Sequence, residues 1–100
     1  MPYADPVKDR DRKLREIGWT VADYNAAFAA QAGRCALCDR HASEFDKSLA
    51  ADHCHASGAK RQLLCRNCNV ALGQFRDDAA LLRRAADYIE KFQQHPAAAA

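Results

Sequence analysis

Two Cys-x-x-Cys pairs enclose a short run of residues that can bind metal ions or accept protons. The pairs are Cys35/Cys38 and Cys65/Cys68, and the enclosed run is Asp52-His53-Cys54-His55. Two such pairs supply four thiolates, the usual ligand set of a closed, structural zinc site. Four ordinary buried or reactive thiols are the alternative, but the matched spacing of the two pairs disfavours it. We therefore predict that the four paired cysteines bind one structural zinc ion and that folding depends on it.

Oxygen donors close to the predicted zinc ligands indicate a second metal site. Asp52 precedes two histidines, and Asn69 directly follows the last paired cysteine. Carboxylate and amide oxygens suit Mg²⁺ or Mn²⁺, and a neutral His53 suits a general base near pH 7. Lys60 and Arg61 are placed to bind a phosphate, so together these residues could hydrolyse a phosphodiester. The alternative is a pair of surface histidines and a helix-capping asparagine.

Length and cysteine usage bound the class of protein. The chain has 100 residues, enough for one small domain, and its five cysteines would leave one over in a disulfide framework. Its first residues contain no apolar run, so we expect neither a secretory signal nor a membrane segment. Paired Cys-x-x-Cys spacing in such a chain is typical of metal binding in a reducing compartment. We expect a cytosolic protein, or one from a virus that replicates in such a compartment.

The distribution of charged residues along the chain is more informative about a binding partner than the net charge of +2. Between Arg34 and Arg76 there are seven Lys or Arg against four Asp or Glu, whereas residues 77–100 have three against four. Basic charge around the cysteine region favours a phosphate backbone as the partner. A solvated surface of mixed charge is the commoner cause of such a bias, so the signal is small.

Helical segments flank the cysteine region. A charged helix is predicted over residues 5–17, and a second one begins at Thr20, a good N-cap, and ends at Gly33. Trp19, just before that cap, can pack back on the helix. The last helix begins at Asp78. Its apolar positions recur at helical spacing and are Leu81, Leu82, Ala85, Ile89 and Phe92.

Helical periodicity is weak between the two cysteine pairs. Residues 49–53 and 61–64 predict two short strands, and the Ser57-Gly58 pair between them predicts a turn. Residues 65–72 then predict a short helix that Gly73 ends. The predicted order is strand, turn, strand, helix.

This ordered combination resembles the recombination endonuclease VII family of HNH, or His-Me finger, nucleases, which is found widely in phages. The resemblance spans residues 20–92 and rests on residues 34–38, 51–55, 58–61 and 63–73. It implies a β-β-α-metal finger within a small, zinc-stapled α+β fold, flanked by N- and C-terminal helices.

The resemblance also implies a role for each matching residue. Asp52 is similar to the metal-binding aspartate, His53 to the general base, His55 to a second histidine near the scissile phosphate, and Asn69 to the asparagine that completes the metal site. The paired cysteines are similar to the structural zinc ligands. Many members have an acidic residue where this chain has Cys54. The best-known member resolves branched DNA as an intertwined dimer and uses a longer helical C-terminal region. This chain has a single predicted helix after the finger, so its charged N-terminal arm and that helix could form a smaller homodimer interface.

We therefore predict a charged helical arm over residues 1–19, a zinc-bound nuclease domain over residues 20–93 and a disordered tail over residues 94–100. The predicted activity is metal-dependent hydrolysis of DNA, either duplex or branched as in a Holliday junction. The competing hypothesis is a non-catalytic zinc module that binds nucleic acid or protein. All expected catalytic positions hold competent residues, which favours the enzyme.

Overall fold

The computed structural model describes the backbone of residues 6–93 and the side chains of residues 9–93. Within this range there are four α-helices and one two-stranded sheet. The elements are α1 (Pro6–Glu16), α2 (Val21–Ala30), a 3₁₀ turn (Ala42–Glu44), β1 (Ala50–His53), β2 (Lys60–Leu64), α3 (Arg66–Gln74) and α4 (Ala79–Gln93). The predicted small α+β fold is confirmed, with its order of strand, turn, strand and helix. Residue 5, the first of the predicted charged helix, and the predicted tail over residues 94–100 lie outside the described residues.

The start of α2 follows from its capping residues. The Thr20 hydroxyl accepts a hydrogen bond from the Asp23 backbone N–H at 3.0 Å, and the Asp23 carboxylate accepts one from the Thr20 N–H at 3.0 Å. This reciprocal pair satisfies two helix-terminal donors and confirms Thr20 as the N-cap. After α2 the chain reverses at Gly33, whose φ of +71° and close approach to His41 leave no room for a Cβ atom. Gly33 therefore closes the turn that leads to the first cysteine pair.

The sheet is an antiparallel hairpin with an irregular register. Ala51 lies opposite Leu63 and His53 lies opposite Lys60, with a bulge between the two pairs. Two β2 residues, Arg61 and Gln62, therefore oppose the single β1 residue Asp52. Bulges of this kind bend a strand and re-aim its side chains.

The buried core lies between the first two helices and this hairpin. It consists of Leu14, Trp19, Tyr24, Cys35, Leu49, Leu63, Leu64 and Cys65. Tyr24 also makes polar contacts that position the hairpin. The Tyr24 hydroxyl donates to the Leu49 carbonyl at 2.6 Å, and the Arg10 guanidinium lies 4.3 Å from the centre of the Tyr24 ring. These contacts fix the start of the hairpin against α1 and α2.

The chain divides into two compact units after Val70, within α3. The prediction that Gly73 ends this helix is wrong, because α3 runs to Gln74. Arg76 and Asp77 then take positive φ values of 56° and 58°, which turn the chain. The predicted start of the last helix is confirmed, since the Asp78 carboxylate accepts a hydrogen bond from the Leu81 N–H at 3.1 Å. No helix within residues 6–93 combines the length and the apolar character that crossing a membrane requires.

Candidate active site and metal centre

The four paired cysteines come together at one point of the fold. The Sγ atoms of Cys35, Cys38, Cys65 and Cys68 all lie within 4.8 Å of one another. The Cys38 and Cys65 sulfurs are 3.9 Å apart. Tetrahedral zinc with bonds of about 2.3 Å would separate its sulfur ligands by about 3.8 Å, so this donor set fits the ion. The structure thus confirms the clustering that the spacing predicted.

Backbone N–H groups surround the more buried sulfur of each pair. Cys35 Sγ accepts from the N–H groups of Leu37 and Cys38 at 3.4 and 3.5 Å, and Cys65 Sγ accepts from the Cys68 N–H at 3.5 Å. The first turn is closed by the Asp39 N–H, which donates to the Cys35 carbonyl at 3.0 Å. N–H groups aimed at sulfur favour the thiolate, the form that binds zinc.

The thiols of the cluster differ in their pKa values. Burial raises the pKa of Cys35, but hydrogen bonds from the backbone at Cys38, Cys65 and Leu37 outweigh it and bring the pKa down to about 6. Burial also raises the pKa of Cys68, and the neighbouring cysteines raise it further. Neighbouring thiolates repel one another, so four adjacent thiols do not readily lose all their protons. A bound cation compensates this repulsion and stabilises the thiolates.

Gln31 joins the cysteine region to the hairpin. Its side-chain oxygen accepts from the Leu63 N–H at 2.8 Å, and its Nε2 donates to the Leu63 carbonyl at 2.9 Å and to the Arg34 carbonyl at 2.7 Å. The Leu63 carbonyl also accepts from the Ala36 N–H at 3.0 Å. The edge of β2 is therefore paired by an amide side chain and by the first cysteine turn.

Asp52 is buried at the centre of the hairpin. The Trp19 indole N–H donates to the Asp52 backbone carbonyl at 3.0 Å, and Trp19 itself is only 2% exposed. Arg61 Nε donates to Asp52 Oδ2 at 2.6 Å. A buried carboxylate needs a positive partner, and Arg61 supplies one here. The backbone and the side chain of Asp52 are thus each held by a separate element.

The two histidines of the run share one side of the hairpin. The ring centres of His53 and His55 are 5.0 Å apart, with a 58° angle between the ring planes. His53 is half-buried at the end of β1, and His55 is exposed in the turn. Between them, the Cys54 N–H donates to the Ala59 carbonyl at 2.8 Å, which closes the hairpin turn.

Asn69 and Lys60 make their hydrogen bonds and ion pairs to other parts of the fold. Asn69 is half-buried one turn into α3, where its N–H donates to the Cys65 carbonyl at 3.0 Å. Among residues 9–93, no hydrogen bond joins Asn69 to Asp52. Lys60 Nζ lies 3.0 Å from Asp23 Oδ2, and this ion pair ties β2 to the start of α2. Within the hairpin the structure pairs Asp52 with Arg61 and His53 with His55. It places Asn69 on α3, the helix that contains Cys68.

The comparisons with known proteins agree with this architecture. The sequence signature of the family "Recombination endonuclease VII" matches residues 10–91, and this chain belongs to that family. It is 43% identical over 81 residues to the "Gene 59 protein" of Mycobacterium phage D29, and 39% identical over 79 residues to the "Gene 59 protein" of Mycobacterium phage L5. These alignments cover 80% and 78% of this chain and 48% of each relative, so the chain spans about half the length of the curated relatives that it matches. No solved structure gave a significant match.

Three residues with a role at the site escaped sequence reasoning. Trp19 was expected to pack on α2, but its indole also donates to Asp52. Gln31 belongs to no motif, yet its side chain makes hydrogen bonds to Leu63 in β2 and to Arg34 beside the first cysteine pair. The Asp23 carboxylate belongs to the cap of α2, and it also pairs with Lys60. Contacts between residues more than 30 positions apart leave no signal in local spacing.

Proposed function

We propose that this chain is a metal-dependent endonuclease that hydrolyses phosphodiester bonds in DNA. His53 is the general base, Asp52 and Asn69 hold a divalent ion such as Mg²⁺ or Mn²⁺, and His55 lies near the scissile phosphate. The observation that carries the proposal is a buried carboxylate at Asp52 and two adjacent imidazoles, all within residues 52–55 of one hairpin, in a chain of the recombination endonuclease VII family.

The geometry around His53 supports its role as the base. His53 is half-buried at the end of β1, where pairing with Lys60 in the sheet limits its backbone movement. An imidazole that is neutral near pH 7 can take a proton from an attacking water. The neighbouring His55 ring, 5.0 Å away and exposed, can reach a phosphate oxygen outside the hairpin.

The donor set around Asp52 fits a hard divalent ion. Carboxylate and amide oxygens are its usual protein ligands, and Asp52 and Asn69 supply one of each. When bound, such an ion stabilises negative charge on the phosphate and on the leaving oxygen. The chain's own part is to hold the carboxylate in place, which Trp19 does by donating to its backbone carbonyl at 3.0 Å.

Lys60 and Arg61 are proposed to bind the DNA backbone. In the structure each is paired with a carboxylate, Lys60 with Asp23 and Arg61 with Asp52. The Lys60 side chain is 47% exposed, so a phosphate can compete for its ammonium group at little cost. Phosphate contacts of this kind give affinity without sequence preference.

Two broader expectations belong to this proposal. A homodimer through the flanking helices is tested by light scattering of the purified chain. A place in the cytoplasm of a phage-infected bacterium is tested by fractionating infected cells. Both predictions are independent of the chemistry at His53.

The test is a cleavage assay on supercoiled plasmid and on a synthetic four-way DNA junction. Zinc-loaded protein is incubated with Mg²⁺ or Mn²⁺, with and without a chelator at a concentration that leaves the folded state intact. We expect cutting that requires the divalent ion, and the relative rates on the two substrates separate branched from duplex DNA. A folded, zinc-loaded protein that cuts neither substrate would instead support a non-catalytic module that binds nucleic acid or protein.

A further inference from the structure

Asp52 is the one charged residue that is buried within residues 9–93. Its side chain is 8% exposed, and Arg61 Nε contacts Oδ2 at 2.6 Å. An unpaired carboxylate at this depth would lose most of its hydration without compensation. The Arg61 guanidinium therefore supplies the compensating charge and hydrogen bond for this buried carboxylate.

The bulge in the hairpin makes this contact possible. Arg61 and Gln62 together oppose Asp52, so the extra β2 residue re-aims its neighbours at this position. The guanidinium thereby meets the same carboxylate that the proposed function gives to the divalent ion. The Arg61 side chain keeps 35% of its surface exposed, so solvent or a bound phosphate can reach it.

We propose that Arg61 and the divalent ion compete for the Asp52 carboxylate, so that binding of a DNA phosphate by Arg61 strengthens metal binding. This inference rests on the proposed function, because it takes Asp52 as a metal ligand. Arg61 is a positioning residue in this account: it acts on the metal through Asp52 and does not itself touch the ion.

The physical basis is the crowding of positive charge around one carboxylate. A divalent ion at Asp52 would lie near the guanidinium, and like charges in a partly buried site repel. A DNA phosphate draws the guanidinium toward itself through charge-assisted hydrogen bonds. Arg61 then interacts less strongly with the Asp52 carboxylate, so the metal binds that carboxylate more tightly. Thermodynamic linkage makes the effect reciprocal, so bound metal also increases the affinity for DNA.

The experiment measures Mn²⁺ binding to the full, zinc-loaded chain without DNA, by the electron paramagnetic resonance signal of free Mn²⁺. The proteins are the natural chain, Arg61→Gln, Asp52→Asn and Arg12→Gln. Arg12 is the matched control, because it is exposed, forms an ion pair with Asp9 within α1 and loses the same charge when it is changed to Gln. We expect Arg61→Gln to lower the Kd for Mn²⁺ by roughly three- to tenfold, since it removes a charge that a partly buried site screens incompletely. Arg12→Gln should leave the Kd unchanged, and Asp52→Asn should abolish binding.

A second readout separates positioning from structure. In the cleavage assay, Arg61→Gln should reach half its maximal rate at a lower Mn²⁺ concentration while its rate at saturating Mn²⁺ falls. Removal of a merely structural residue would not shift the metal requirement downward. If Arg61→Gln does not fold, as judged by zinc content and thermal unfolding, Arg61→Lys carries the test. Its shorter ammonium group should give a smaller decrease in Kd.

The outcomes distinguish this inference from the proposed function. If Asp52→Asn abolishes Mn²⁺ binding but neither Arg61 variant tightens it, the competition is overturned and the metal site stands. If the natural chain binds no Mn²⁺, or if Asp52→Asn binds it normally, the metal site fails and the competition fails with it.

Discussion

The cysteine cluster and the Asp52–His55 hairpin are neighbours in the fold, but they use burial in opposite ways. Cys35 and Cys65 are almost fully buried, and backbone N–H groups are aimed at their sulfurs. Among residues 52–55 of the hairpin only Asp52 is buried, while His53 is half-buried and His55 is exposed. The cysteine cluster thus suits a closed, structural metal site, whereas residues 52–55 leave one side of the hairpin open to a substrate. A short chain can therefore separate the residues that hold its fold from those proposed to react.

The two regions are nevertheless linked through β2. Leu63 is fully buried and bonds to both Gln31 and the first cysteine turn, while Arg61, two positions earlier on the same strand, contacts Asp52. Loss of a cysteine from the cluster should therefore also disturb the hairpin, whereas replacement of the histidines proposed to react should leave the cluster intact. The predictions below test this asymmetry.

The largest effect is expected at the zinc ligands. Cys65→Ser removes a buried ligand, and we expect loss of zinc and of the cooperative thermal transition, because a small domain of this kind derives about 10 kcal/mol or more from its structural ion. Circular dichroism and a zinc assay check this. The matched control is Cys54→Ser, which lies outside the cluster and should keep both the metal and the transition. Unfolding of the control as well would contradict the division between the two regions.

A smaller effect is expected where the two regions are joined. Gln31→Ala leaves the N–H of the fully buried Leu63 without its acceptor, so the free energy of unfolding should fall by about 2 kcal/mol. Urea denaturation of the zinc-loaded protein measures it. Gln31→Glu is the comparison, because it keeps an acceptor for that N–H and loses only the donor side. Equal loss in the two variants would argue against this reading of the contact.

The next effect in size concerns the support of Asp52. Trp19→Phe keeps an aromatic ring in the core but removes the donor to the Asp52 carbonyl, at a cost of about 1 kcal/mol in unfolding free energy. The cleavage rate should fall further, by about tenfold or more, because a misplaced metal ligand costs more in reaction rate than in folding. Denaturation and single-turnover cleavage are measured on the same sample. A rate that stays at the natural value would show that Asp52 keeps its position without the indole.

The smallest effect is expected at the helix cap. Thr20→Ala removes the hydroxyl that accepts from the Asp23 N–H, and the unfolding free energy should fall by about 1 kcal/mol. Thr20→Ser is the control, since it keeps an acceptor at the same atom. Zinc content should stay the same in both variants, because the cap contributes no residue to the cysteine cluster. A loss of zinc in Thr20→Ala alone would show that the cap and the cluster are coupled.

Local sequence patterns predicted the parts of the fold that local chemistry decides. The Cys-x-x-Cys spacing predicted the cluster, and Thr20 and Asp78 predicted two helix starts. Weak helical periodicity and the Ser57-Gly58 turn predicted the two strands of the hairpin. Gly73 was misread as a helix end, because a glycine is tolerated inside α3 when the following residues can turn the chain at Arg76 and Asp77.

The contacts that hold the candidate site were beyond the reach of sequence patterns. The pairing of Arg61 with Asp52 depends on a bulge that shifts the register of β2, and nothing in the order of residues marks that bulge. The approach of Trp19 and Gln31 to the hairpin depends on how α2 packs against β2. Such contacts are set by tertiary packing, which overrides local preference.

The most direct test of the account is the single-turnover cleavage rate of zinc-loaded His53→Ala, measured beside its thermal unfolding. The account predicts a rate lower by about a hundredfold or more, as removal of a general base should give, with unchanged zinc content and an unchanged unfolding temperature. A variant that is folded, zinc-loaded and as fast as the natural protein would contradict the account, because the hairpin would then not be the place where the reaction occurs.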